Sequence, residues 1–120
     1  MAKSLIERIR AARQQRVESG DMTFTVRRPN DLEWSSMKSS GSISHSDLLQ
    51  CVCGWGEVTE IDLGIAGGTG EKVPFDHAIY MEWIADHPEH WEKISNAVID
   101  SYKKHDEEVS ERVKNLLPGS

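Results

Sequence analysis

The apolar positions of the chain change period several times, and each change marks an expected element. Ser4 stands three residues before Glu7, the spacing of a capping box, and Ile9, Ala12 and Val17 follow at helical steps, so a helix is expected from about residue 4 to 17. Ser19-Gly20-Asp21 stops it. Met22-Thr23-Phe24-Thr25-Val26-Arg27 alternates apolar with polar in residue types that favour extended backbone. That predicts a short strand with Met22, Phe24 and Val26 on one face, ended by Pro29. Asn30 or Asp31 is placed to cap a short helical segment holding Leu32, Trp34 and Met37, before the loop Ser39-Ser40-Gly41-Ser42.

Ser46 to Cys53 reads either as a short buried helix or as a strand. The N-cap types Ser44, Ser46 and Asp47 and the terminator Gly54 favour the helix. Between Gly56 and Gly70, Val58, Ile61 and Leu63 suit a small hairpin arm, which Pro74 ends. Asp76 then caps a helix carrying Ile79, Tyr80, Trp83 and Ile84. Asp86-His87-Pro88-Glu89 is a stop and restart, with Asp86 and Glu89 again at capping-box spacing.

From Pro88 to Leu117, Trp91, Ile94, Val98, Tyr102, His105, Val109, Val113 and Leu116 recur at three- and four-residue steps. A helix of roughly 30 residues is about 45 Å long, more than a core of this size covers. Its first half, with Ile94, Ala97, Val98 and Ile99, is broad enough to pack inside the domain. Its second half offers only the narrow seam Val109, Val113 and Leu116, the pattern of a partner-dependent helix. The expected fold class is mainly α, in the α+β sense: a small helical domain with a short strand or hairpin and a long C-terminal helix.

Three of the four tryptophans fall between Trp55 and Trp91, which locates the core there, since large aromatics bury the most area. At 120 residues the chain has room for one domain. It divides into a basic N-terminal helix over 1–20, a core over 21–104, and a distal helix and tail over 105–120. With 38% hydrophobic against 28% charged residues it is on the polar side, so part of its length is expected to be solvated or to face a partner. No run of about 18 apolar residues is present, so neither a membrane span nor a signal peptide is expected. Cys51 and Cys53 are too close in sequence for an ordinary disulfide, in keeping with a reducing compartment.

Charge is uneven. Residues 1–30 carry seven basic side chains against three acidic ones, a net of +4, whereas the whole chain is −6. Such polarity steers an anionic partner, or a second copy, to the front end. A nucleic-acid partner is not expected, because the chain is acidic overall and no aromatics interleave with Arg8, Arg13 and Arg16.

Candidate chemistry is thin. Gly64 to Lys72 resembles a phosphate loop only loosely: Glu71 replaces the glycine before the lysine, Val73 the following hydroxyl residue, and Pro74 prevents a helix from starting there. His45, Cys51 and Cys53, or His87 with His90, lack the four-ligand spacing of a closed zinc site. No nucleophile and base stand out among histidines that occupy charged stretches. No enzyme activity, cofactor or metal is expected.

The order Thr23-Phe24-Thr25-Val26-Arg27-Arg28-Pro29, Gly54-Trp55, an acidic glycine-rich insert, Val73-Pro74-Phe75-Asp76, a helix with Trp83 and a last helix with Trp91, Ala97 and Tyr102 resembles the tail assembly chaperones of long-tailed, lambda-like bacteriophages and prophages. The resemblance spans roughly residues 22 to 105. It implies a mainly helical, self-associating, non-enzymatic protein of the host cytoplasm, absent from the mature virion. Such a protein binds the tape-measure protein and helps recruit tail tube subunits, and the family often has a longer frameshifted form. The alternative is a small structural tail or head-tail connector component of the virion. The expected core is Phe24, Trp55, Pro74, Phe75, Trp83, Trp91 and Tyr102. The expected partner surface is Val109, Val113 and Leu116, with Arg8, Arg13 and Arg16 supplying charge.

Overall fold

A two-residue turn organises the front of the molecule. In the computed structural model, which describes residues 4–116, Gly20 and Asp21 link strand β1, Gln14–Ser19, to strand β2, Met22–Arg27, with Ser19 opposite Met22. Gly20 takes φ 59°, the left-handed conformation that a tight hairpin requires of one central residue and that glycine adopts without strain.

The helix expected over 4–17 is therefore corrected. Helix α1 covers only Leu5–Ala11, capped by Ser4, whose Oγ accepts from the Glu7 amide at 3.1 Å. Residues 14–19 pair with β2 instead. Val17 and Ser19 point inward from β1, and Val17 lies opposite the fully buried Phe24. With one apolar side chain, β1 has almost no signal of its own; its partner strand and the turn decide its conformation.

The sheet is antiparallel in the order β1-β2-β3, and β3 is Val52–Trp55. The helix favoured over 46–53 is thus half right. Helix α3, His45–Leu49, is capped by Ser44, and the chain then turns into the sheet. Register slips between Thr25 and Val26, so that Cys53 is the extra residue of a bulge.

Helix α2, Asp31–Ser39, starts at a full capping box: the Asn30 side chain accepts from the Glu33 amide at 2.8 Å, and Glu33 accepts from the Asn30 amide at 3.0 Å. Glu33 also receives a two-pronged bond from Arg27 at 2.8 and 2.9 Å, fixing α2 to the end of β2. Helix α4, His77–Ile84, is capped by Asp76 as expected. No side chain caps the restart at residues 86–89; a short 3-10 turn, Pro88–His90, leads into helix α5, Trp91–Leu116. Residues expected to continue beyond Leu116, and Lys3, lie outside the described residues.

The core gathers Phe24 and Val26 from β2, Val52 from β3, Leu48 and Leu49 from α3, Tyr80 and Ile84 from α4, and Ile94 and Val98 from α5. The Tyr80 hydroxyl is satisfied inside it by the Leu49 carbonyl at 2.8 Å. Phe24 and Tyr102 are buried as expected. Trp55, Phe75, Trp83 and Trp91 are only half-buried against the core, and Pro74 is exposed, which corrects its placement.

The tryptophans act as clasps around the centre. Their indole N–H groups donate to three carbonyls, Trp55 to Val73 at 2.9 Å, Trp83 to Leu63 at 2.8 Å and Trp91 to Ile84 at 2.6 Å. The first two hold the excursion between β3 and α4, where Val58 and Leu63 turn inward and Ile61 faces solvent. The expected arm exists only as a single bridge, Thr59 to Lys72.

Helix α5 crosses the sheet and then leaves it. The radius of gyration is 17.1 Å and the longest dimension 66 Å. A compact chain of this length would have a radius of roughly 14 Å, so the molecule is extended.

Candidate interaction surface

The buried side chains of α5 stop at Tyr102. Tyr102 stacks on Trp34 with ring centroids 4.2 Å apart, and its hydroxyl donates to Asp31 at 2.8 Å. One turn on, His105 Nε2 lies 3.2 Å from the same carboxylate. Past this anchor Val109 is half-buried, whereas Val113 is 53% and Leu116 82% exposed. The three expected contact residues therefore form one stripe that begins where the domain ends.

Helix α1 offers a second uncovered stripe. None of its residues is buried, and Leu5, Ile6 and Ile9 are 68%, 62% and 49% exposed. The helical spacing of Ile9 and Ala12 does not lead to burial, and both are exposed. A seven-residue helix that buries none of its side chains gains little stability from packing, so its apolar face is available to a partner.

The three arginines do not share a face. Arg8 lies on α1 and Arg16 on the solvent side of edge strand β1, opposite Thr25. Arg13 follows α1 and lines a cleft of about 260 Å³ with Arg28, Gln14, Lys104, His105 and Glu108. Arg28 and Lys104 escaped the sequence pattern because they belong to other elements. Burial holds the Arg28 guanidinium below its ordinary pKa, and Arg13 beside it pushes the same way, against Asp31, Tyr102 and Glu108.

Residues weighed for chemistry are used structurally. Lys72 pairs with Glu57 at 2.8 Å, and Glu60 accepts from both the amide and hydroxyl of Thr69, so the glycine-rich segment is a closed turn. Cys53 Sγ approaches the Thr25 carbonyl at 3.5 Å, and burial pushes the Cys51 thiol up to about 11. His45 bonds Ser95 at 3.1 Å, and His87 stacks on Trp83 at 3.9 Å. His90, although it stands in a charged stretch, is buried, 2.7 Å from Ser19 Oγ. That pair resembles a nucleophile and base, yet both members are almost fully covered and Glu89 stands 3.8 Å from Nε2, so it is packed as a structural bond.

Among the described residues, no helix is long and apolar enough to cross a membrane and no group of three or more His, Cys, Asp or Glu side chains is arranged to hold a metal ion. No family model matches the chain, and no curated protein or solved structure shows significant similarity to it.

Proposed function

We propose that this chain is a non-enzymatic assembly chaperone for phage tails: it binds the elongated helical tape-measure protein in the host cytoplasm, helps recruit tail tube subunits, and is left out of the mature virion. The observation that carries the reading is the stripe of Val109, Val113 and Leu116, which continues the core periodicity of α5 beyond the domain and is increasingly exposed. An amphipathic helix projecting from a small folded body suits helix-to-helix recognition of a long client. The exposed Leu5, Ile6 and Ile9 supply a second apolar face for the same client or for self-association.

The test is coexpression with the tape-measure protein of the same genome. The client is expected to be soluble and to elute with this chain on gel filtration, and Val113→Asp with Leu116→Asp should abolish the complex while leaving circular dichroism unchanged. A client equally soluble with and without the chain, and no complex, would refute the reading; presence of the chain in purified particles would favour a tail or connector component instead.

A further inference from the structure

The register of the β1–β2 hairpin puts two arginines opposite each other. Gln14 pairs with Arg27, and one step outward the Arg28 amide donates to the Arg13 carbonyl at 2.9 Å. Like charges directly across a ladder are destabilising. Helix α5 adds a third cation, Lys104, to the same cleft. None of the three forms an ion pair among the described residues, and Arg28 has only the Pro29 carbonyl, at 3.2 Å. Glu108 is the one carboxylate on the wall of the cleft, and Asp31 acts on Arg28 and Glu33 on Arg13 from outside it without pairing with them, so the three cations are offset only in part.

The cleft is continuous with the apolar seam. Ser101, Lys104, His105 and Glu108 line it at the spacing of one helix face, and His105 is followed at four-, four- and three-residue steps by Val109, Val113 and Leu116. At 1.5 Å per residue, the anionic position and the exposed Val113 are about 12 Å apart along α5.

We propose that this cleft receives a carboxylate side chain from an amphipathic helical partner whose apolar stripe lies on Val109, Val113 and Leu116. A carboxylate fits better than a nucleic-acid backbone. Asp106, Glu107, Glu108 and Glu111 outnumber Arg112 and Lys114 along the seam and disfavour a polyanion laid along α5, whereas a single carboxylate is accommodated between Arg13, Arg28 and Lys104. The proposal rests on the reading of the seam as the client surface, and adds an acidic residue about two helical turns from an apolar anchor as the feature recognised.

The test uses fluorescence anisotropy of a labelled synthetic helical peptide carrying a leucine stripe flanked at both ends, about 12 Å away, by glutamate. A counterpart has glutamine in place of the glutamates. The full chain is expected to bind the acidic peptide roughly tenfold more tightly than the glutamine one, and Arg13→Gln with Lys104→Gln, which leaves Arg28 alone in the cleft, should cut that preference to about twofold or less. Val113→Asp with Leu116→Asp should weaken both peptides alike. Retention of the acidic preference by the Arg13→Gln, Lys104→Gln variant would overturn the carboxylate site and leave the seam intact. Binding that is indifferent to the Val113 and Leu116 changes would instead overturn the seam. A single-stranded oligonucleotide bound more tightly than the acidic peptide, and released by the same two glutamine substitutions, would also overturn the carboxylate assignment.

Discussion

Ser19 Oγ and His90 Nδ1 lie 2.7 Å apart, joining the end of β1 to the 3-10 turn that leads into α5, 71 residues away along the chain. His90 Nε2 faces Glu89 at 3.8 Å, which favours the proton on that nitrogen and leaves Nδ1 to accept from the Ser19 hydroxyl. Ser19→Ala strands a buried nitrogen and should cost about 1–3 kcal/mol in urea unfolding. A parental midpoint would show that the pair contributes nothing.

Acid should weaken the fold in two separate windows. Burial holds the His90 imidazole below its ordinary 6.5, opposed by Glu89 and aided by His87. Just below 6.5 the unfolded chain binds a proton that the folded chain does not, so the stability present above that pH falls as pH drops through the window. The Asp31 carboxyl is held below its ordinary 3.8, chiefly by the bond from Tyr102, with His105 adding to it; that contribution is present above 3.8 and is lost at lower pH. Urea midpoints against pH should therefore decline in two steps, and Asp31→Asn should shrink only the lower one, to which Glu33, Glu57 and Asp62, also held below their ordinary values, contribute the rest.

Trp83→Phe keeps the ring against the core and removes the bond to the Leu63 carbonyl. It should cost about 1 kcal/mol and speed amide exchange in residues 59–71. Because the indole is half-buried, Trp83→Ala should cost about 2–3 kcal/mol, less than the loss of a fully enclosed tryptophan. Unchanged exchange in the phenylalanine variant would mean that the clasp does not hold the loop.

Removal of residues 107–120 should leave thermal unfolding nearly unchanged, because the last anchored side chains that tie α5 to Asp31 are Tyr102 and His105. A deletion that begins at Val98 removes core contacts and should prevent folding. A large drop in melting temperature after the shorter deletion would show that the distal helix is part of the domain.

Neither thiol should react readily in the folded chain. Burial raises both, and Cys51 reaches about 11, which leaves a thiolate fraction on the order of one in ten thousand at neutral pH. Labelling by an aromatic disulfide reagent should be slow until urea is added. Rapid native modification of Cys51 would contradict its burial.

The elements with dense local signals were legible in the chain itself. Asn30 and Asp76 are capping residues as written, Met22, Phe24 and Val26 alternate because one strand face is buried, and the period of α5 from Ile94 to Leu116 carries both its length and the thinning of its seam. What failed to show was structure made by pairing. Gln14 to Ser19 has helical neighbours and only Val17 to bury, and becomes a strand because β2 offers its edge and Gly20 lets the chain reverse. Val52 to Trp55 likewise becomes the third strand by adding to β2. Tertiary structure alone decided that Arg13, Arg28 and Lys104 meet while Arg8 and Arg16 stand apart, and that the tryptophans ring the core. Charge convergence and indole bonds depend on distances between segments remote in sequence, for which local periodicity has no term.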